Sequence, residues 1–454
     1  MSAHTPSRRH RIFRGALTTA LATCMGAALV SCSGAESDGT QAAAGPSAAR
    51  PAAGTHLTGL AQKAVDTGSP GIIVRVDSGN GKPVEVTRQA PWTKDDHRLA
   101  AGDRFRVGSN TKTLTATLIL QQVAEKRISL DDTVEHWLPG LVTGGRHITV
   151  RMLLNHTSGL GDFLLTPKFL PSLTGQEERT WTPQELLALT PKQDPPAQPG
   201  TTYSYSNANY EALGLILEKA TGTGLAELIK KRITEPLGMK DSFLATNADW
   251  DTPQTTRKTT RKTTGETTRK TTGETAGKQH AAGYEPDAKR LKAILSKTVN
   301  LPEGVGFTGP ARPQRNINTS GIDPSWAWAA GGMVSTAPDW QRFLTALMSG
   351  KLLPKAQMKQ MRTTIDAPEE GGGYGLGLME VKTPCGTVWG HTGGLPGYSS
   401  EIYTDASGTR SLALLTSTNF GIKEKKAATA NKALRDAATC QMLGTPQPSD
   451  NPAG

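Results

Sequence analysis

The sequence lacks the features that mark several common protein classes. Four cysteines among 454 residues are too few for a small disulfide-stapled fold. No Gly-x-Ser-x-Gly elbow, Walker loop, His-Glu-x-x-His or paired Cys-x-x-Cys occurs, so the simplest α/β-hydrolase, nucleotide and zinc sites lack their signatures. We therefore expect neither a cofactor nor a bound metal.

The chain also has little net charge once two segments are set aside. The formal charge of +11 includes four arginines within residues 1–31, and seven basic against two acidic residues within 255–278. Only +2 remains for the rest of the chain. An extended basic face for nucleic acid is therefore not expected.

Residues 1–31 have the pattern of an export signal. Four arginines without an acid precede an uncharged run of 15 residues from Ala16 to Val30, shorter than the about 20 residues of a spanning helix. The run ends in Leu29-Val30-Ser31-Cys32, which resembles the lipobox of bacterial lipoproteins. We expect an extracytoplasmic protein anchored to the cell membrane by a lipid on Cys32; secretion after cleavage near Ser31 is the alternative.

Three further segments have compositions that supply no folded core. Residues 32–54 are rich in Ser, Gly, Ala and Pro and are expected to form a flexible tether, and residues 444–454 a disordered tail. Residues 255–278 form a low-complexity Thr/Lys/Arg near-repeat. We interpret the repeat as a tolerated loop expansion; a basic strap for anionic cell-wall polymer is the alternative.

The remaining residues, 55–443, have the pattern of one α+β domain. A strand is predicted at 71–76, and strand-like runs return only at 374–381, 387–389, 399–403 and 411–415. Helices are predicted between them and at the end, over 111–126, 150–154, 183–189, 210–220, 225–233, 340–348 and 423–443. Strands from both chain ends predict an antiparallel sheet with an inserted helical lobe.

Two cysteines remain after export and lipidation. Cys385 lies among the late strands, and Cys440 lies on the last predicted helix. In an exported protein we expect a disulfide between them, with free thiols as the alternative.

A candidate nucleophile stands at the beginning of the first predicted helix. The run Gly108-Ser109-Asn110-Thr111-Lys112 places Ser109 and Lys112 three residues apart, on one helical face and within reach for proton exchange. Because a free lysine is protonated at neutral pH, its pKa must be lowered before Lys112 can accept a proton.

Two other motifs supply partners for this pair. Tyr203–Asn207 contains the only Tyr-x-Asn of the chain, and Gly390–Gly394 contains its only His-Thr-Gly. Serine acyl transfer needs a nucleophile, a proton carrier, hydrogen bonds to the substrate and an oxyanion hole, and the three motifs offer candidates for each. We interpret His156 as a hydrogen-bonded turn residue and not as a catalytic base.

At these motifs the chain resembles the serine β-lactamase and D,D-peptidase family, in its class C-like branch. The resemblance covers about residues 57–443 and includes the run Ile148–Leu160. It implies a β-lactamase/transpeptidase-like fold, with Ser109 as the acylated nucleophile and Lys112 as its base or proton-relay partner. The other implied roles are proton transfer to the leaving group by Tyr205, substrate binding by Asn207, His391, Thr392 and Gly393, and an oxyanion hole from the backbone N–H groups of Ser109 and Gly394.

His391 stands where β-lactamases of this branch usually carry Lys. The His-Thr-Gly run and the Tyr203–Asn207 run are similar to the D-alanyl-D-alanine carboxypeptidase of actinomycetes. Because histidine titrates near neutrality, we expect the activity to fall as the pH rises through about 6 to 7.

The resemblance implies a serine D,D-carboxypeptidase that acts on peptidoglycan stem peptides through a Ser109 acyl-enzyme. A class C-like β-lactamase or a small-ester hydrolase on the same fold is the enzymatic alternative. A non-catalytic receptor for cell wall or β-lactam is the alternative of another class. The expected partners are a stem peptide or β-lactam and the membrane, and we expect a monomer.

Overall fold

The fold is described from a computed structural model. It covers residues 53–164, 166–191, 198–245, 280–295 and 301–446. The expected export signal, the lipidated Cys32, residues 32–52 of the tether, the 255–278 repeat and the last residues of the tail lie outside these described residues.

An eight-stranded antiparallel sheet forms the centre of the described structure. Its strand order is β2-β1-β14-β13-β12-β11-β10-β9, so the first strand pairs directly with the last. Two small three-stranded sheets, β3-β8-β4 and β5-β7-β6, accompany it. The strands are β1 Gly71–Asp77, β2 Val84–Gln89, β3 Phe105–Arg106, β4 Phe243–Leu244, β5 Tyr284–Pro286, β6 Ala311–Arg312, β7 Asn316–Asn318, β8 Met333–Ser335, β9 Ile365–Ala367, β10 Gly372–Tyr374, β11 Met379–Thr383, β12 Gly386–Leu395, β13 Tyr398–Thr404 and β14 Ser411–Thr416.

The helices lie on both faces of this sheet. They are α1 Ala53–Asp66, α2 Thr111–Ala124, α3 Val134–Trp137, α4 Val150–Leu154, α5 Leu170–Thr174, α6 Pro183–Ala188, α7 Asn207–Thr221, α8 Leu225–Ile229, α9 Ala288–Leu295, α10 Trp328–Gly331, α11 Ala337–Met348, α12 Lys355–Met361 and α13 Lys425–Leu443. A π-helical turn, Lys230–Thr234, continues α8.

Two apolar cores follow from the alternation of side chains along the strands. Ile72 and Val74 of β1 pack with α1 and α13, whereas the intervening Ile73 belongs to the larger core of the helical lobe. Because both faces are covered, β1 is an unbroken apolar run of the kind that the sequence shows. The α+β architecture predicted from the sequence is confirmed.

Two boundaries differ from the sequence-based predictions. Residues 374–381 are not one strand, because β10 ends at Tyr374 and β11 begins at Met379. Gly377 between them has a φ of +73°, and its carbonyl accepts a hydrogen bond from Thr113 of α2, so the chain turns there onto the helical lobe. Helix α1 begins at Ala53, and the last two residues assigned to the tether are therefore helical.

The structure joins Cys385 to Cys440 through a disulfide. Cys385 lies in the turn between β11 and β12, and Cys440 is buried on α13. The bond therefore links the terminal helix to the middle of the sheet. Within the described ranges, no helix combines the length and apolarity needed to cross a membrane.

Candidate active site

Ser109 lies where a short turn leads into α2. Gly108–Asn110 form a 3₁₀ turn that continues directly into the helix at Thr111. Lys112, one helical turn beyond the serine, is fully buried, and its Nζ lies 3.0 Å from the Ser109 Oγ. The structure thus brings the predicted pair into hydrogen-bond contact.

Two further acceptors fix the Lys112 amine. Its Nζ donates to Asn207 Oδ1 at 2.7 Å and to the Ala330 carbonyl at 2.8 Å. Burial lowers the Lys112 pKa to about 7, against the opposing effects of nearby carboxyl groups, so a large fraction is neutral near pH 7. With two N–H bonds directed at these acceptors, the remaining direction of a neutral amine faces Ser109, which is the arrangement of a general base.

Tyr205 completes this group. Its hydroxyl is hydrogen-bonded to the Ser109 side chain, and Lys112 Nζ lies 4.8 Å from the centre of its ring. Burial raises the Tyr205 pKa well above its usual value, so the phenol keeps its proton at neutral pH. A neutral hydroxyl in contact with the nucleophile is able to pass a proton and to receive one.

Asn207 is held by a residue that the sequence analysis did not identify. Asp162 Oδ2 accepts from Asn207 Nδ2 at 2.8 Å and from its backbone N–H at 3.3 Å. This contact turns the Asn207 Oδ1 toward Lys112. In the free protein Asn207 therefore orients the lysine, while its role toward a substrate amide stays a prediction.

The residues expected to form the oxyanion hole are packed backbone to backbone. A methyl group on Gly108 would lie 2.6 Å from the amide nitrogen of Gly394, and one on Gly393 would lie 3.0 Å from that of Ser109. Only glycine permits β12 to approach the turn before α2 this closely. The backbones of Ser109 and Gly394 thus meet at one place, as an oxyanion hole requires.

His391 is not the titrating group that the sequence analysis expects. Its ring is 1% exposed, and burial, with a smaller contribution from Lys112, lowers its pKa to about 3. Nδ1–H donates to the Thr392 carbonyl at 2.5 Å, and Nε2 accepts from the Tyr374 hydroxyl at 2.9 Å. His391 therefore presents a buried, neutral ring, and a fall in activity between pH 6 and 7 is no longer expected from this residue. The neighbouring Thr392 keeps part of its surface exposed.

A cluster of aromatic rings lies behind the site and was not foreseen. His156 is surrounded by Tyr203, Tyr205, Tyr210 and Tyr374, with ring centres 4.3 to 5.9 Å from its own. His156 is fully buried, has a φ of +60°, and accepts hydrogen bonds at Nδ1. It is therefore a hydrogen-bonded turn residue, and burial keeps its pKa well below the usual value.

In the parts of the chain that the structure describes, no group of three or more His, Cys, Asp or Glu side chains is arranged to hold a metal ion.

Comparison with known proteins gives one consistent result. The family model described as Beta-lactamase matches residues 57–437. Esterase EstB of Burkholderia gladioli is 28% identical over an alignment of 362 residues, and the match covers 73% of this chain and 81% of the esterase. Penicillin-binding protein 4* of Bacillus subtilis (strain 168) is 26% identical over 322 residues, or 70% of this chain but only 60% of the relative.

A solved structure extends this similarity. The D-stereospecific amidohydrolase from Streptomyces sp. is 32% identical, with a TM-score of 0.64, and the match covers 83% of this chain and 97% of that protein.

Proposed function

The chain belongs to the beta-lactamase family of serine hydrolases, and we propose that it is a serine D,D-carboxypeptidase that forms its acyl-enzyme on Ser109. The observation that carries the proposal is the contact between Ser109 Oγ and the buried Lys112, with the Tyr205 hydroxyl on the same oxygen. The substrate is a peptidoglycan stem peptide ending in D-Ala-D-Ala.

The geometry supports acylation through successive proton transfers among Ser109, Lys112 and Tyr205. Neutral Lys112 accepts the Ser109 proton while Oγ forms a bond to the carbonyl carbon of the penultimate D-Ala. The backbone N–H groups of Ser109 and Gly394 stabilise the oxyanion. The C–N bond then breaks, Tyr205 donates its proton to the leaving amine, and the Lys112 ammonium returns a proton to Tyr205.

Deacylation uses the same groups in reverse. Water attacks the ester carbon, its proton passes to the Tyr205–Lys112 pair, and Ser109 recovers a proton as the acyl group leaves. With a β-lactam, the same first step opens the ring and leaves a covalent penicilloyl ester on Ser109. The rate at which that ester is hydrolysed separates a penicillin-binding peptidase from a β-lactamase.

A second candidate is hydrolysis of D-amino acid amides. The neutral His391 adds no positive charge for the terminal carboxylate of a peptide, and a substrate with a neutral amide end needs none. The 32% identity to a D-stereospecific amidohydrolase over 83% of this chain supports the same candidate. Lipid attachment at Cys32, an extracytoplasmic location and a monomeric state complete the proposal.

One experiment separates these activities. The purified full chain and Ser109→Ala are incubated with a fluorescent penicillin, a D-Ala-D-Ala peptide, D-alaninamide and a small ester, and label retention and product release are followed. Stable labelling with release of D-Ala supports the carboxypeptidase. Rapid loss of label with penicillin hydrolysis supports a β-lactamase, and faster release of ammonia from D-alaninamide supports the amidase. Ester cleavage alone, without labelling of Ser109, would refute all three.

A further inference from the structure

A buried carboxylate of one small sheet contacts the central sheet close to the candidate active site. Glu285 of β5 is 0% exposed and belongs to the small sheet formed by β5, β7 and β6. Its Oε1 accepts from the backbone N–H groups of Gly397 at 2.7 Å and Asn419 at 3.0 Å. Its Oε2 accepts from the Phe420 N–H at 2.9 Å and the Thr418 hydroxyl at 3.1 Å. One side chain of β5 thus joins two other segments of the chain, the turn at Gly397 and residues 418–420.

These segments border the proposed oxyanion hole. Gly397 is in the turn between β12 and β13, three residues after Gly394. The side chain of Asn419 packs against Gly394 from the other side, since a methyl group on Gly394 would lie 2.6 Å from Asn419 Oδ1. The position of the Gly394 N–H therefore depends on two backbone segments that Glu285 holds together.

The environment of Glu285 is costly to maintain. Burial raises its pKa to about 7, although the four donors favour the charged form. All four of these donors are neutral, so the carboxylate in this pocket is not balanced by the charge of any of them. A buried carboxylate of this kind costs stability relative to an apolar side chain. Despite this cost, a buried carboxylate is able to hold several backbone N–H groups in fixed positions at once.

We infer that Glu285 is a positioning residue for the oxyanion hole, which fixes the end of β12 and the Thr418–Phe420 segment so that the Gly394 N–H faces the Ser109 acyl carbon. The inference rests on the acyl-enzyme proposed above. It also assigns a catalytic purpose to the small sheet that follows the low-complexity repeat, because that sheet supplies the carboxylate. Glu285 itself does not touch the substrate.

The test compares Glu285→Gln with a matched buried carboxylate. Gln keeps the size of the side chain but replaces one acceptor oxygen by an N–H₂ group, which faces two of the four donors. Asp339→Asn is the control: Asp339 is 5% exposed, its Oδ2 accepts from the Asp241 N–H and the Ser242 hydroxyl, both at 3.0 Å, and its Oδ1 pairs with Arg342 at 2.7 Å, in a region without β12. Both variants lose a buried acceptor, but only the segments bound by Glu285 border Gly394.

The measured quantity is the rate of Ser109 acylation by a fluorescent penicillin, per active site that finally takes up label. Loss of an oxyanion-hole donor lowers rates about 10²- to 10³-fold, and a displaced donor costs less, so we expect a fall of about 10- to 100-fold for Glu285→Gln. Noncovalent binding should stay within about threefold, as should the acylation rate of Asp339→Asn. Counting labelled sites removes any contribution from misfolded protein.

A milder variant keeps the test decisive if Glu285→Gln does not fold. Thr418→Val removes one of the four donors with little change in volume, and we expect a fall of about 3- to 10-fold in the same rate constant. Wild-type acylation per site in the variant that folds would overturn the inference. Normal acylation of the wild type without release of D-Ala would instead refute the proposed carboxypeptidase and leave the role of Glu285 measurable.

Discussion

The ring of His156 stacks on the ring of Tyr205, with centroids 4.3 Å apart and planes inclined by 27°. His156 Nδ1 accepts from the Ser206 N–H at 3.2 Å and from Asn209 Nδ2 at 2.9 Å, so the proton of this neutral ring is on Nε2. Asn209 is held in turn by the Ser158 hydroxyl at 2.5 Å. The backbone around Tyr205 and the face of its ring are thus positioned by one residue.

Replacing His156 should therefore impair catalysis without touching the reacting atoms. His156→Asn is the suitable variant, since Asn tolerates the φ of +60° and removes only the ring. We expect kcat to fall about tenfold or more, with KM changed less, and a lower melting temperature. His147→Asn, at an exposed position, is the control and should behave like the wild type. An unchanged kcat in His156→Asn would show that Tyr205 needs no such support.

The lowered pKa of Lys112 predicts a pH dependence. Below about 7 the amine is protonated and cannot accept the Ser109 proton, so acylation should rise through pH 7 and level off above it. The check is the rate of penicillin labelling between pH 5.5 and 9. Lys112→Arg stays charged throughout and should lose about 10²- to 10⁴-fold at every pH. Lys219→Arg, at an exposed position of α7, should match the wild type.

His391 should leave that pH profile unchanged. Since its pKa is lowered to about 3, the ring is neutral over the whole range in which Lys112 titrates. His391→Gln should therefore show a lower rate from lost packing, but with the same midpoint near pH 7. The measurement is the ratio of the two acylation rates between pH 5.5 and 8. A ratio that changes around pH 6.5 would mean that His391 carries a proton there.

The disulfide should contribute stability and not catalysis. Cys385 and Cys440 are 55 residues apart in the sequence, and closing a loop of that length is worth about 4 kcal/mol in the chain-entropy treatment. We expect a reductant to lower the melting temperature by several degrees, with kcat of the folded protein retained at 25 °C. In Cys385→Ser/Cys440→Ser the reductant should have no further effect. A fall in kcat on reduction at 25 °C would contradict this separation.

Cys32→Ser tests the proposed anchor. A lipid on Cys32 would carry the wild type into the detergent phase of a two-phase extraction and allow labelling with radioactive fatty acid. The Ser variant should lose both properties and keep its activity on soluble substrates. Cys24→Ser, within the expected signal, should retain both. Detergent partition of Cys32→Ser would exclude this residue as the site of lipid attachment.

The contact between Ser109 and Lys112 could be predicted from the sequence because it lies within one turn of helix, whereas the roles of Tyr205 and Asn207 were implied only by the family resemblance. Ser109 and Lys112 needed only the three-residue separation at the beginning of α2. The residues that hold them escaped notice because their contacts span long stretches of chain: Asp162 meets Asn207 across 45 residues, and Tyr374 meets His391 across 17. The periodic pattern of apolar residues in a sequence does not indicate contacts between residues so far apart.

Burial explains one difference from the sequence-based predictions, and a turn explains another. His391 was assigned a titration near pH 6 to 7 because its environment was unknown, and the covering by Tyr374 and the sheet changes its pKa. The run from Tyr374 to Val381 alternates like a strand, but Gly377 turns the chain onto α2. The short β2 and β9 at the two edges of the sheet were too weak in pattern to be predicted.

The two faces of the central sheet are covered by different helices. Helices α1 and α13 pack together on the face of the sheet opposite the larger helical core that contains α2. A lipid attached upstream of α1 would therefore hold the molecule on the side of α1 and α13. Ser109, at the beginning of α2, would then lie on the side of the sheet opposite the point of attachment, and the length of the segment before Ala53 would set how far the enzyme reaches from the bilayer.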